Sequence, residues 1–158
     1  MVFLISRLPH FPIRVRFPPS ALPGHALFPM PQAKPSPLSG TDFAVAAARL
    51  AEGKQAEDIL VLDLRGLSNI ADFFVICSAN SPPHLNAIVR EVGTRLKVEH
   101  GVAAYGQEGR SGSLWAVLDF IDVVVHVLHR GKREFYALEA LWSDAPQVEW
   151  QAAGLPKP

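Results

Sequence analysis

Several features that would place this 158-residue chain in a specialised class are missing. Its one cysteine, Cys77, can form neither an internal disulfide nor a CxxC metal site, so a disulfide scaffold and a zinc finger are excluded. No apolar run approaches the roughly 20 residues that a membrane-spanning helix needs. GxGxxG and GxxxxGKS/T motifs are absent, so no glycine-rich phosphate loop is visible. What remains is a globular composition, 49% apolar and 19% charged, in a chain suited to one domain.

Acidic residues are also missing from the first part of the chain. Residues 1–40 contain four basic residues, no acidic ones and nine of the 14 prolines, whereas residues 41–158 hold 15 acidic against 11 basic residues. Because proline removes amide donors, we expect 1–40 to be a disordered extension, followed by a folded domain over 41–150 and a tail over 151–158. The formal charge of −4 over residues 41–158 favours a basic protein partner over sequence-specific binding of nucleic acid.

Three interpretations of the N-terminal extension compete. A secretory signal is disfavoured because Pro9 and Pro12 interrupt its apolar core. We favour a dispensable extension of a cytoplasmic protein. The alternative is a transit peptide, which would place the protein in mitochondria or plastids. The charge pattern fits that alternative, although the prolines disrupt the amphipathic helix that it requires.

Hydrophobic periodicity predicts the element order α-β-β-α-β-β-β-α and hence an α/β (α+β) fold, with a mixed sheet of about five strands and flanking helices. The first helix should be capped by Thr41 and Asp42, and the second by Ser81, with Gly101 at its end. The first strand should be covered on both faces. The predicted ranges are helix 43–52, strands 59–64 and 73–77, a helix with a stripe of Leu85, Ile88, Val89, Val92 and Leu96, strands 103–107, 114–120 and 123–128, and helix 132–142 with Phe135, Leu138, Leu141 and Trp142 inward.

The last two strands should form a tight hairpin around Ile121 and Asp122. If Phe120 pairs with Val123, then Trp115, Asp119 and His126 lie on one face of the sheet. Such a group is either an acid–base dyad, with Asp119 orienting His126, or a hydrogen-bonded pair that fixes the hairpin or shapes a contact surface. We favour the second interpretation because no nucleophile stands in a recognisable motif nearby.

Other chemistry receives little support from the residue pattern. The histidines are spread along the chain, so we predict no metal site and no cofactor. Asp63 and Asp72, on neighbouring strands, hint at a two-metal nucleotide site, but one acid stands where a close pair is required. A nucleotidyltransferase-like enzyme or nucleotide-binding protein is therefore kept as the alternative function. Trp115 and Tyr136 belong to the residue types that anchor protein interfaces, but packing in the core is an equal alternative for both, while Trp142 is expected in the core.

Several segments together resemble the ribosomal silencing factor family (RsfS, also called Iojap) over about residues 42–149. They are Glu57-Asp58-Ile59-Leu60-Val61-Leu62-Asp63-Leu64-Arg65-Gly66, Ile70-Ala71-Asp72-Phe73-Phe74-Val75-Ile76, Glu108-Gly109, Trp115-Ala116-Val117-Leu118-Asp119, Asp122-Val123-Val124-Val125-His126-Val127, Arg133-Glu134-Phe135-Tyr136 and Leu138-Glu139-Ala140-Leu141-Trp142.

The resemblance implies a translational repressor that is not an enzyme. It would bind the large ribosomal subunit through large-subunit protein fourteen, block joining of the small subunit, and assist large-subunit biogenesis. A sheet like that of nucleotidyltransferases, without the catalytic acids, and a homodimer off the ribosome are further expectations. Trp115 and Tyr136 occupy positions that the family uses to contact its partner, and the motif between them matches at Asp119, Asp122 and His126.

The sequence departs from the family pattern in two places near these residues. Ile121 stands where the family commonly has glycine, and a β-branched residue disfavours the positive φ of a type I′ turn, so a different turn type is expected. Arg130, Gly131 and Lys132 follow His129 where the family usually has acidic residues, which weakens the acidic patch on that flank.

Overall fold

A computed structural model describes residues 38–109 and 112–151 of the chain. The predictions for residues 1–37, for the loop positions 110 and 111, and for residues 152–158 lie outside the described residues. The elements are α1 (Gly40–Gly53), β1 (Glu57–Asp63), β2 (Phe73–Ala79), α2 (Pro82–His100), β3 (Gly106–Glu108), β4 (Trp115–Asp119), β5 (Val123–His129), α3 (Arg130–Tyr136) and α4 (Leu138–Leu141).

The five strands form one mixed sheet in the order β1-β2-β5-β4-β3. Strands β2 and β5 are parallel, and every other neighbouring pair is antiparallel. The predicted mixed sheet of about five strands with flanking helices is confirmed. The predicted third strand was placed slightly early, since β3 spans Gly106–Glu108 rather than 103–107.

Helices cover the two faces of the sheet unequally. Helices α1 and α2 pack on one face, and the buried stripe predicted for α2 is confirmed. The other face is covered by α3, α4 and the chain that follows them, through Leu138, Trp142 and Ala145. The core location predicted for Trp142 is therefore confirmed. Cys77 lies fully enclosed on the α1/α2 face, where burial raises the pKa of its thiol to about 12 and keeps it protonated.

Strand β1 lies at an edge of the sheet, and the prediction that both its faces are covered holds only for its second half. Val61 and Leu62 are buried on opposite faces, whereas Glu57 and Asp58 are exposed, and the pairing register with β2 shifts between Glu57 and Leu60. The C-terminal segment protects this edge, because Val148 N–H donates to Val61 O at 2.9 Å.

Two helix predictions near the ends of the described chain were wrong. Helix α1 is capped by Ser39, whose hydroxyl accepts from Asp42 N–H at 3.2 Å, so Thr41 and Asp42 already lie inside the helix. The predicted single helix 132–142 is broken at Ala137, which adopts a left-handed conformation with φ of 41°. The break turns the chain, so Phe135 points outward with 71% of its surface exposed, and not inward as predicted.

The second helix matches its prediction at both ends. Ser81 caps α2 with prolines at the first two helical positions, and Gly101 ends it in a left-handed conformation with φ of 69°. None of the helices in residues 38–109 and 112–151 combines the length and the hydropathy that crossing a bilayer demands.

Candidate functional site

The β4–β5 hairpin carries the candidate site, and its predicted register is confirmed. Trp115 pairs with Leu128, Val117 with His126 and Asp119 with Val124. Because side chains alternate along a strand, Trp115, Asp119 and His126 all lie on the face of the sheet opposite α1 and α2.

His126 is the deepest member of the site, with no exposed surface. Its ring lies edge-on to Phe74 at a centroid distance of 4.7 Å and is tilted against Trp115 at 6.0 Å. Burial lowers the pKa of His126 to about 3, so the imidazole is neutral at physiological pH. A neutral ring one layer below the surface supports the residues above it; its predicted role in partner binding stays a prediction.

Trp115 and Tyr136 continue outward from His126. The Trp115 ring is 5% exposed and stacks at a tilt against half-buried Tyr136, with 4.8 Å between ring centroids. Phe135 then meets Tyr136 edge to face at 4.9 Å. We call these four side chains, from buried His126 through Trp115 and Tyr136 to exposed Phe135, the aromatic column. The Lys132 ammonium group lies over its outer end, 5.6 Å from the Phe135 centroid and 6.0 Å from that of Tyr136.

Asp119 and Asp122 lie at the opposite end of the hairpin, which we call the turn end. Asp119 lies four positions after Trp115 along β4, a distance of about 13 Å at the usual rise of a strand. Asp119 Oδ1 accepts from Ile121 N–H at 2.8 Å, a bond that supports the turn. Asp122 is exposed, and its backbone carbonyl accepts from the N–H groups of Asp72 and Phe73 at 2.8 and 3.0 Å. The structure therefore brings the rings of Trp115, His126 and Tyr136 into contact. Asp119 lies on the same face of the sheet towards the turn, and Asp122 lies beyond it in the turn itself.

Ile121 adopts the backbone conformation that glycine would favour. Its φ is 77°, and Asp122 N–H donates to Phe120 O at 3.1 Å, closing a three-residue γ-turn. A β-branched residue at positive φ is strained. The turn is thus of a different type, as expected, but Ile121 still has the positive φ that strains a β-branched residue. Its side chain is 44% exposed and lines an open pocket of about 380 Å³. That pocket is lined by Ser68, Asn69, Ile70, Ala71, Asp72, Ile121 and Asp122.

The two carboxylates considered for nucleotide chemistry have different surroundings. Asp63 accepts from Arg65 Nη2 at 2.6 Å and from Arg65 N–H at 3.1 Å, which caps the turn after β1. This bond with Arg65 holds the pKa of Asp63 below its usual value. Asp72 borders the turn-end pocket. Across the described chain, His, Cys, Asp and Glu side chains nowhere gather in groups of three that would suit a metal ion.

Two features of the site were missed by sequence reasoning. Phe135 forms the exposed end of the aromatic column, and only the left-handed Ala137, which no residue pattern signals, turns it outward. Gly109 has φ of 91°, and a Cβ there would lie 2.6 Å from Trp115 O and 2.7 Å from Ala116 Cα. The Glu108-Gly109 pair is visible as a motif in the sequence, but its close contact with the backbone of Trp115 appears only in three dimensions.

The amino-acid sequence matches a known protein family over most of its length. A family model described as "Ribosomal silencing factor during starvation" matches residues 37–157. The chain is 45% identical over 103 residues to a ribosomal silencing factor RsfS of Bacillus subtilis, covering 65% of this chain and 86% of that protein. It is 36% identical over 107 residues to an Arabidopsis thaliana protein named Iojap, chloroplastic, covering 68% of this chain and 44% of that one.

Solved structures with the same fold are also found. A crystal structure of a Chromobacterium violaceum protein superposes with a TM-score of 0.65 at 29% identity, covering 77% of this chain and 98% of that one. A Bacillus halodurans crystal structure gives a TM-score of 0.56 at 38% identity, covering 68% and 93%. The agreement extends over nearly the whole of both solved chains.

Proposed function

Because the chain belongs to the ribosomal silencing factor family, we propose that it represses translation by binding the large ribosomal subunit through that subunit's protein fourteen. Bound there, the protein occupies space that the small subunit needs, so the two subunits do not join. The action is steric, and the protein makes or breaks no covalent bond. A contribution to large-subunit biogenesis, a homodimeric state off the ribosome and a location in the cytoplasm belong to the same proposal.

The aromatic column is the observation that carries this proposal. Tyr136 and Phe135 present a phenol and a phenyl ring at the surface, and Trp115 supports them from below at 4.8 Å from Tyr136. Large rigid rings lose little conformational entropy on binding and dominate the energetics of protein interfaces. An exposed aromatic side chain held by a buried one is therefore suited to anchor a protein partner.

The charges around the hairpin support a basic partner. Asp122 presents an exposed carboxylate beside the pocket, and the half-buried Asp119 adds a second negative charge at the turn end, where both would attract a basic ribosomal protein. The basic residues after His129 oppose this attraction less than the sequence implied. Arg130 pairs with Glu57 at 3.1 Å, and Lys132 lies over the rings of the column.

Co-sedimentation of the tagged full chain with dissociated ribosomal subunits in a sucrose gradient tests the proposal. The protein should travel with large subunits, and adding it in excess should lower subunit joining measured by light scattering. Tyr136→Ala should weaken binding about 30-fold, which corresponds to the loss of about 2 kcal/mol expected for an interface anchor. Tyr105→Ala is the matched control, because Tyr105 is 65% exposed and lies outside the column.

Two results would contradict the proposal. One is a protein that stays at the top of the gradient when large subunits are present. The other is turnover of a nucleotide that depends on magnesium and disappears in Asp72→Asn, which would favour the enzyme alternative.

A further inference from the structure

Arg133 is a buried charged side chain that the proposed binding surface does not use directly. Only 8% of its surface is exposed, and it lies in α3 three residues before Tyr136. We propose that Arg133 is a positioning residue: its guanidinium group locks the short helix α3 onto the sheet so that Tyr136 stacks on Trp115. The consequence for ribosome binding rests on the proposed function; the positioning itself does not.

The guanidinium group bonds to three separate parts of the chain. Its Nε donates to Glu139 Oε1 at 3.0 Å, and its Nη1 donates to Asp58 O at 2.8 Å and to Ser78 Oγ at 3.2 Å. Helix α4, strand β1 and strand β2 thus meet at one side chain. A planar group with several fixed donors can satisfy such a set, whereas the single ammonium of lysine cannot reach all of it.

The partner on β1 exists because that strand is irregular. The pairing with β2 shifts register between Glu57 and Leu60, and Asp58 has a positive φ of 49°. The bulged residues take no part in the paired ladder, so their backbone groups need other partners. Arg133 Nη1 supplies a donor to the carbonyl of Asp58. The bulge and the buried arginine are therefore complementary features.

Helix α3 depends on such anchoring because it has only seven residues. A helix of that length is not stable on its own, so tertiary contacts decide where it lies. The backbone of Arg133 also closes the helix, since its carbonyl accepts from the N–H of left-handed Ala137 at 2.8 Å. Tyr136 stands between these two constraints, and its ring position against Trp115 follows from them.

Arg130 provides a matched control on the same helix. It is also paired with a carboxylate, that of Glu57, but its side chain is 58% exposed and the pair lies at the surface. A solvated pair of this kind contributes little to structure. Replacing either arginine with methionine removes the same charge and keeps a long side chain, so the two variants differ chiefly in which hydrogen bonds they remove.

The first experiment needs no ribosome. Nuclear Overhauser effects between the Tyr136 and Trp115 rings are measured in the full chain and in Arg133→Met, Arg133→Lys and Arg130→Met, at a temperature where circular dichroism shows each to be folded. We expect the ring–ring signal to fall at least threefold in Arg133→Met and to persist in Arg130→Met. Arg133→Lys should give a partial loss and carries the test if the methionine variant does not fold. An unchanged signal in folded Arg133→Met, or in Arg133→Lys where only that variant folds, overturns the proposal.

A double-mutant cycle on large-subunit binding separates positioning from a general structural role. Arg133→Met should weaken binding about tenfold in the unmodified chain and less than twofold when Tyr136 is already alanine. A tenfold loss in both backgrounds overturns the proposal, because Arg133 then acts independently of Tyr136. If Tyr136→Ala leaves binding unchanged while the ring–ring signal behaves as expected, the proposed docking surface fails and the positioning role of Arg133 stands.

Discussion

The two ends of the β4–β5 hairpin are built in different ways. The column end consists of stacked rings backed by neutral His126 and by the anchored helix α3. The turn end consists of the exposed carboxylate of Asp122, the half-buried carboxylate of Asp119 and a strained γ-turn held by hydrogen bonds. Buried, interlocked rings give a rigid surface, whereas solvated charges act over a longer range and are screened by salt. We therefore expect the column end to set how long the partner stays and the turn end to set how fast it arrives.

The largest effect should come from breaking the column end at its backbone. In Gly109→Ala the new Cβ would lie 2.6 Å from Trp115 O, and the residue would keep a φ of 91°. We expect the free energy of unfolding to fall by about 3 kcal/mol or more, from steric overlap added to backbone strain. Urea denaturation measures this loss.

Gly112→Ala is the control for that substitution. Gly112 has a similar φ of 87°, but a Cβ there meets nothing within 4 Å. In Gly112→Ala only backbone strain is added, so the free energy of unfolding should fall by about 1 kcal/mol. Equal losses of stability in the two variants would show that the close contact between residue 109 and the backbone of Trp115 does not contribute to the effect.

A second comparison concerns binding itself. Removing the exposed ring in Phe135→Ala should raise the dissociation rate from large subunits and cost about 1–2 kcal/mol of binding free energy. Asp122→Asn removes one charge and keeps the backbone carbonyl to which Asp72 and Phe73 donate. It should mainly lower the association rate, and the binding free energy should weaken by about 0.5 kcal/mol or less.

Binding kinetics at two salt concentrations distinguish these effects. The Asp122→Asn difference should shrink as salt rises, and the Phe135→Ala difference should not. The division between the two ends is wrong if Asp122→Asn acts on dissociation and does so equally at both salt concentrations.

The pH dependence of stability tests the buried end of the aromatic column, which is His126. His126 has a pKa of about 3 in the folded protein, below the ordinary value of 6.5 that it has when unfolded. The unfolded chain therefore takes up a proton first, so the stabilisation is complete above pH 6.5 and is lost as pH falls towards 3. Between pH 7.5 and 5.5 the loss attributable to His126 is about 1.4 kcal/mol.

Urea denaturation at both pH values, for the natural chain and for His126→Leu, measures this contribution of His126 to stability. Between pH 7.5 and 5.5, the free energy of unfolding of the variant should fall by about 1.4 kcal/mol less than that of the natural chain. The window stays well above the titration of Asp63, whose pKa is lowered by its bond with Arg65. An unchanged pH dependence in His126→Leu would mean that the imidazole is not buried in neutral form.

Much of this architecture follows from the residue pattern, and the exceptions have physical causes. Hairpin register was predictable because the alternation of Val117, Leu118 and Asp119 with the facing strand fixes which side chains share a face. The stripe of α2 was predictable because its helical period is regular. Both signals are local in sequence.

The column could be predicted only in part. Trp115 and His126 were assigned to one face, but nothing local to Ala137 indicates a left-handed conformation there. Beside the break, Arg133 contacts Asp58 and Ser78, which lie 75 and 55 residues away in the sequence. Such long-range contacts override the helical pattern of 132–142, which is why Phe135 was wrongly assigned to the core.

A small stabilising effect is expected from a substitution in the turn. Ile121 has a φ of 77° and is 44% exposed, so its side chain gains little from burial while its backbone is strained. Asparagine tolerates this conformation without the entropic cost of glycine, so Ile121→Asn should stabilise the fold by about 1 kcal/mol. Ile121→Val, which keeps the branched Cβ, should leave stability nearly unchanged. Thermal denaturation measures both, and a less stable Ile121→Asn would show that the turn is not strained.

Binding of the same variant to large subunits tests whether the turn also contacts the partner. If Ile121→Asn is more stable yet binds more weakly, the side chain at the turn is itself a partner contact. The column end alone then does not set the dissociation rate, and the division between the two ends is wrong.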